Sequence, residues 1–405
     1  MNRLVFVHGS WQMLLVASAL KQGATTAGRE ASDYLVFYPL HDGPLPSTLL
    51  EVMSRIAGVV RPWKEVIVLD QAIKPDERRP RPAIEALRAR LGVDSVDEVW
   101  IDSLIGPLRK VAVEAYPSSA IVLYEDGLHT YLSEEDFHLS LAGSLRHPRD
   151  AYRKFKVHLK SRLRSSDLAV APLLPRHLAR VKASYLWISQ MVSIPTYQVR
   201  LPWVQLETRY FKETFEQVSP LLDGVEIERS SEPRAMVLGE CFSNWGDLTW
   251  QTEFDCFLDQ IRRLRALGYE VVWKEHPRIR RPFHNELSLA VPELVTLPDL
   301  GPWPIELFFD RLGIAACTSL TSTILFTLPL LFGVPSYSSV HQHLHLLRFP
   351  NDELARIVMK SIPNLDALVP PEQSTGAGSA RPTAELPIHR TSPPLALPPE
   401  EPEMI

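Results

Sequence analysis

Short β-rich runs alternate with amphipathic helical stretches along the first third of this chain, and few folds accept that order. "RLVFVHG" precedes a helix from about Gln12, and "DYLVFYPL" precedes "STLLEVMSRIAG". "EVIVLD" then leads to "AIEALRARLG", "EVWIDS" to "PLRKVAVEAY", and the series reaches "SAIVLYEDG". Strands joined through helices run parallel, so the pattern predicts a parallel sheet covered on both faces. A second series begins at "RAMVLGE", passes through "TEFDCFLDQIRRLRALG" into "EVVWKEHPR", and continues to "LGIAACTSLTSTILFTLPLLFGVPSYS". Two Rossmann-like domains follow.

The expected division has an N-terminal domain over 1–200, with a basic helical insertion at about 139–200. A linker at 201–231 leads to a C-terminal domain at 232–362. Residues 363–405 are rich in Pro, Ser, Gly and Glu, a composition that predicts a disordered tail. No internal repeat is visible.

At 405 residues the chain can bury two cores. A net charge of −5 argues against nucleic acid as a partner. Three scattered cysteines, Cys241, Cys256 and Cys317, suit neither a disulfide framework nor a zinc site and suggest a reducing compartment. The N-terminal "MNRLVFVHGSWQMLLVASALKQG" has a weakly signal-like look, but His8, Gly9, Ser10 and Gln12 interrupt its apolar run, so it reads as a first strand and helix. The expected location is the cytoplasm, or the inner face of the cell membrane as a peripheral protein.

Three short motifs draw chemical interest. "YEDG" ends a predicted buried strand with Glu125, Asp126 and Gly127. Asp-Gly there is a common turn, but carboxylates at the carboxyl edge of a parallel sheet also face the crevice where open α/β folds bind ligands. "KEHPR" places His276 at a strand end beside the stiff Pro277. The second His-Pro, His147–Pro148, has no strand before it and reads as a helix start. "CTSLTST", Cys317 to Thr323, sits between a strand and an apolar helix; its hydroxyls serve either as simple caps or, with the free N–H groups, as a phosphate site. Although "FVHGSW" looks like the His-Gly of α/β-hydrolases, no G-x-S-x-G elbow exists. Walker A and Asp-x-Asp sequences are also missing, so a phosphate-bearing donor would bind without a metal.

In this order, about 150 and then about 45 residues apart, "YEDG", "KEHPR" and "TSLTST" resemble the acidic-acidic-glycine, His-Pro and Ser/Thr motifs of bacterial sialyltransferases, above all the polysialyltransferase-type family. "HGSWQMLLVASAL" is similar to that family's opening strand and helix. The resemblance spans residues 1 to about 362 but lives in short motifs. It implies an α/β fold of GT-B type, with two Rossmann-like domains facing a cleft, acceptor and base in the first and a CMP-sugar donor in the second. Carried over, Glu125 becomes the general base, with Asp126 and Gly127 shaping its loop. His276 contacts the donor phosphate as acid or charge stabiliser, with Pro277 setting its backbone. Ser319, Ser322 and Thr323 receive the phosphate. Lys274, Thr318, Thr321, Gly239 and Glu240 join the donor side, and His8, Ser10 and Gln12 the acceptor side.

The implied reaction is metal-independent, inverting transfer of sialic acid from CMP-sialic acid to a glycan hydroxyl, with no cofactor. The acceptor would be lipooligosaccharide, a capsule precursor or a glycoprotein. Two alternatives stay open: transfer of another CMP-activated acid sugar such as Kdo or a related nonulosonic acid, and a non-catalytic nucleotide- or glycan-binding protein of the same fold. The basic stretch Arg146–Arg164, with Arg153, Lys156 and Lys160, is either a solvated helix face or an acceptor-side surface for an anionic glycan or an anionic membrane.

Overall fold

The computed structural model describes residues 1–27, 32–39, 44–69, 80–103, 107–131, 175–192, 201–222, 230, 232–297, 300–347 and 351–371. Among the described residues the first unit is built on seven strands. These are β1 (Asn2–Val7), β2 (Ser32–Phe37), β3 (Glu65–Val68), β4 (Glu98–Ile101), β5 (Ala120–Tyr124), β6 (Val181–Leu186) and β7 (Trp203–Gln205). They lie in the order β3-β2-β1-β4-β5-β6-β7, and every neighbouring pair is parallel. The second unit has β8 (Arg234–Leu238), β9 (Glu270–Lys274), β10 (Val295–Thr296), β11 (Ile314–Ser319) and β12 (Ser336–Ser338) in the order β10-β9-β8-β11-β12, again all parallel.

Both orders are those of a doubly wound sheet, so the two units are Rossmann-like and the architecture is GT-B. Each sheet reverses its strand order once, between β1 and β4 in the first and between β8 and β11 in the second. Residues just past those four strands therefore border the crevices.

The first unit's helices are α1 (Ser10–Ala27), α2 (Ser47–Val60), α3 (Pro80–Leu91) and α4 (Pro107–Ala115), followed by α5 (Thr208–Val218). Apolar on nearly every side, α1 buries Met13 to Ala17, Ala19 and Leu20 between the sheet and its neighbours α2 and α5. The second unit carries α6 (Trp250–Ala266), α7 (His284–Ala290), α8 (Ile324–Phe332) and α9 (Asn351–Ser361). Among the described residues no helix is long and apolar enough to cross a membrane.

One face of the first sheet has its own core under α3 and α4. The other face is continuous with the core of the second unit. An aromatic chain makes the connection: Trp187 packs 4.1 Å from Phe211, Phe211 meets Phe215, Phe215 meets Phe332 of α8, and Phe332 stacks on Phe309. Further ties cross at the rim, from Ser361 Oγ to the Met191 carbonyl (2.8 Å) and from Arg311 to the Leu222 carbonyl (2.9 Å).

Three boundaries differ from expectation. β6 lies inside the stretch read as a helical insertion, where "VKASYL" mixes Lys182 and Ser184 into its apolar residues. β7 and α5 occupy the stretch read as a linker and extend the first unit. The predicted tail begins too early: Leu365 is buried, Asn364 bridges to Ser338, and Tyr269 donates to the Val369 carbonyl. Residues 372–405, and the basic stretch with Arg153, Lys156 and Lys160, lie outside the described residues.

A buried ion cluster holds the first two strands in register. Asp33 on β2 accepts from Arg3 Nε (2.5 Å) and Nη2 (2.9 Å) on β1 and pairs with Arg61 after α2. Replacing Asp33 by Ala strands two guanidinium groups, and urea unfolding is expected to show a loss of about 3–5 kcal/mol. A loss below about 1 kcal/mol would mean that water reaches the arginines.

Candidate functional site

The acidic motif follows β5 at the carboxyl edge of the first sheet. Its two acids have different surroundings. Glu125 is fully buried; its Oε2 accepts from Tyr131 Oη (2.6 Å), Trp187 N (2.6 Å) and Ile188 N (3.0 Å). Burial lifts its carboxyl to about 7, against the pull of those three hydrogen bonds. Glu125 therefore clamps the turn after β6 to the end of β5. Its Oε1 is buried without a hydrogen-bond partner, so the base role expected of it would require the acceptor hydroxyl to reach a carboxyl that is closed to solvent in this structure.

Asp126 is the acid that reaches the crevice, with its side chain 26% exposed. It accepts from Gln12 Nε2 of α1, and its Oδ2 lies 3.7 Å from His8 Nε2. Its backbone N–H donates to Thr130 Oγ1 at 2.7 Å, fixing the loop. Burial alone would raise this carboxyl, but His8, Gln12 and the charge of Arg109 hold it well below the usual carboxylate range.

Behind Asp126 stands His8, expected on the acceptor side, with three residues that sequence reasoning missed: Asp102, Tyr38 and Arg109. His8, just past β1, lies 3.2 Å from Asp102, just past β4, so the pair straddles the switch point of the first sheet. Asp102 is buried and accepts from Tyr38 Oη (3.2 Å) and from both Nε (2.5 Å) and Nη2 of Arg109 on α4. Burial opposes a charged imidazole, yet Asp102 and Asp126 outweigh it and raise His8 to about 9. Asp102 follows "EVWI" just as Glu125 follows "IVLY", so the same rule about acids after strands could have found it.

The trio His8, Asp102 and Asp126 offers ligand atoms within 4.8 Å of one another. A cation there would have to share Asp102 with Arg109, whose guanidinium already fills both oxygens, and repulsion at that range is strong. The residues fit an internally neutral cluster of two acids and two bases better than a metal site.

Across the crevice, Gly127 meets the hydroxyl motif. Its φ of +65° is left-handed, and a Cβ there would lie 2.6 Å from Thr323 Oγ1. Leu128 N donates to the same oxygen at 3.2 Å. The acidic loop of one unit thus sits directly on the head of α8 in the other. Ser10, expected on the acceptor side, is instead a bridge between the units: its Oγ donates to the Pro302 carbonyl at 2.5 Å. Next to it, Arg55 lies over the Trp303 ring at 5.3 Å.

The hydroxyl motif divides in two. Thr318 and Ser319 are the last residues of β11 rather than part of a loop. Thr318 donates to Gln260, and Ser319 donates to Glu240 Oε1 (2.7 Å). Thr321 is buried, and its N–H donates to Glu240 at 2.9 Å. Thr318 and Ser319 spend their hydroxyls on the interior, contrary to a phosphate-binding role for those two side chains, while Thr321 gives Glu240 its backbone N–H. Ser322 is half-buried at the start of α8, where its Oγ accepts from Ile324 N (3.3 Å) and retains a proton to donate. Glu240 spans the second switch point, from the end of β8 to the end of β11, and burial lifts it to about 7.

His276 stands past β9. Ile279 N donates to the His276 carbonyl (3.1 Å), closing a turn with Pro277 at its second position, where the fixed φ of proline is favourable. Arg278 N donates to His276 Nδ1 (3.1 Å), so the ring proton resides on Nε2, which points toward Cys241 Sγ at 4.0 Å. Burial, with Arg278 and Lys274 adding to it, lowers this imidazole to about 4. It is a neutral N–H donor at pH 7. Lys274 Nζ donates to the Glu275 carbonyl (2.8 Å).

Glu275 organises the loop beyond, accepting from Phe283 N (2.9 Å) and His284 N (3.1 Å). Gly239 is required by proximity: a Cβ there would lie 3.0 Å from the Trp273 ring and 3.1 Å from His276 N. His129 is exposed next to the acidic loop, within reach of the opposed charges of Asp126 and Arg278.

The family model for alpha-2,8-polysialyltransferase (POLYST) matches residues 3–341 of the chain. Similar solved structures include the GT-B domain of a sialyltransferase from Photobacterium damselae, at 12% identity and TM-score 0.46, covering 89% of this chain and 97% of that one. UDP-GlcNAc 2-epimerase from Methanocaldococcus jannaschii is similar at 10% identity and TM-score 0.44, covering 84% of each chain. E. coli heptosyltransferase WaaC with ADP is similar at 14% identity and TM-score 0.38, covering 84% of this chain and 87% of that one. No curated protein matches the chain.

Proposed function

Because the chain belongs to the alpha-2,8-polysialyltransferase family, and so is a glycosyltransferase of sialyltransferase type, we propose that it moves sialic acid from CMP-sialic acid to a hydroxyl of a sialylated glycan. The transfer inverts the anomeric centre and needs no metal. The observation that carries this reading is the contact of Gly127 and Leu128 with Thr323. It brings the loop that carries the partly exposed Asp126 carboxylate of the first unit against a helix head of the second.

Each group then has a task. Asp126 accepts the proton of the acceptor hydroxyl as that oxygen bonds to the anomeric carbon. The bond from that carbon to the phosphate oxygen breaks, and CMP leaves with the electron pair. Charge collecting on the phosphate is met by Ser322 Oγ–H, the start of α8, His276 Nε2–H and the cation of Arg278, all held in place before the reaction. A single displacement through one carboxylate accounts for inversion. The three cysteines are free thiols, which supports a reducing, cytoplasmic setting.

Mixing the protein with CMP-sialic acid and an α-2,8-linked oligosialyl probe in EDTA, followed by mass spectrometry, tests the whole reading. Addition of one or more sialyl units is the expected result. Transfer from CMP-Kdo alone would move the assignment to another acid sugar, and release of no CMP from either donor would leave a binding protein. Ser322→Ala should weaken CMP binding by about 1.5 to 3 kcal/mol, the usual loss for one hydrogen bond to a charged group. Unchanged affinity in calorimetry would reduce Ser322 to a helix cap.

A further inference from the structure

We propose that Asp102 is a positioning residue for this reaction: held by Arg109 and Tyr38, it fixes the His8 imidazole by a hydrogen bond so that its Nε2 also stands in ion-pair range of Asp126, and thereby keeps the Asp126 carboxylate aimed. The proposal rests on the reading of Asp126 as the base.

The geometry carries it. One atom, His8 Nε2, is within 3.2 Å of Asp102 and 3.7 Å of Asp126. The far side of Asp102 is closed by Tyr38 Oη and the two-pronged contact of Arg109. Tyr38 also meets the His8 ring edge-on with centroids 5.4 Å apart, and Arg109 lies over the Tyr38 ring at 5.9 Å. The imidazole at the end of β1 is therefore gripped from two neighbouring strand ends, those of β2 and β4, while Gln12 of α1 holds Asp126 from the other side.

A protonated His8 holds the Asp126 carboxylate by charge as well as by position, and Asp102 keeps His8 protonated. Asp126 itself stays ionised at alkaline pH, so what a neutral His8 gives up there is that charge-assisted hold. The titratable groups facing this cluster are Tyr38, Asp102, Arg109, Glu125, Asp126, His129 and the buried Tyr124. Only His8, raised to about 9, loses a charge within the alkaline working range. A raised histidine gives its benefit below its ordinary value and forfeits it as pH passes the raised one.

The test is the pH profile of kcat/KM with CMP-sialic acid and the α-2,8-linked oligosialyl probe. The wild-type profile should fall near pH 9. In D102N that fall should move to lower pH by about one unit or more, and kcat on the plateau should drop by about 10- to 100-fold, the effect of a misplaced reacting group. The donor KM should hold. A folded D102N with the wild-type limb and kcat overturns the proposal. Should D102N fail to fold, H8Q serves: it should have no limb near pH 9 and a low kcat throughout, and a wild-type limb in H8Q also overturns it. Full transfer by D126N would instead remove the base reading itself.

Discussion

Asp126→Asn is expected to lower turnover by about 10²- to 10⁴-fold, the usual contribution of a positioned general base, while CMP binding stays near the wild-type value. Asparagine keeps the shape and can still meet Gln12 and His8, but its amide cannot take a proton. Donor affinity is spared because the groups assigned to the phosphate, Ser322, His276 and Arg278, belong to the other unit. Glu125→Gln provides the contrast. Its amide oxygen can still accept from Tyr131, Trp187 and Ile188, so turnover should fall far less than in D126N. The two rates and a calorimetric titration with CMP decide the matter. If E125Q is dead while D126N turns over, the proton goes to the buried acid and the crevice must open much further than this structure shows.

Gly127→Val should also abolish transfer, for a mechanical reason. A β-branched residue at φ +65° is strained by about 1–2 kcal/mol, and its Cβ would lie 2.6 Å from Thr323 Oγ1 and 3.2 Å from Thr323 Cγ2. The backbone strain stays local, whereas the collision pushes the acidic loop off the head of α8. Removing the obstacle separates the two effects. In G127V combined with Thr323→Ala, part of the lost turnover should return, while the melting temperature should stay at the single-variant value. A double-mutant cycle with no coupling between these positions would show that the Gly127 contact does not control closure.

Gly127 also marks how far the chain could be read before folding. The strands β1, β2, β4, β5, β8, β9 and β11 are all legible as apolar runs, because strands buried on both faces of a parallel sheet lack the polar alternation that would blur them. Their parallel direction follows from the βαβ connections. Motif positions at strand ends were legible for the same reason: Glu125, Asp126, Glu240 and His276 each come within two residues of a strand's last residue. β6 was missed because "VKASYL" mixes polar residues into the run, and β7 because "WVQ" is short; β6 is a strand because β5 offers it an open edge, and β7 because β6 does the same.

Roles within a motif depend on distances that no local pattern encodes. In the sequence Glu125 and Asp126 are adjacent and equivalent, and a strand end turns successive side chains to opposite sides. Which of the two meets solvent is settled by Trp187 and Ile188, some sixty residues away, whose N–H groups claim Glu125. Ser319 and Ser322 look alike in "TSLTST" until Glu240 takes the first and leaves the second at the head of α8. Asp102, Arg109 and Tyr38 come from three separate strand and helix ends, and only the sheet order β2-β1-β4 brings them around His8. The sequence by itself determined where chains of buried residues end and which polar groups emerge there. The tertiary structure alone decided which of those groups are spent on backbone N–H groups and buried partners and which remain free to act, because a polar side chain satisfied in the interior has nothing left to offer a ligand.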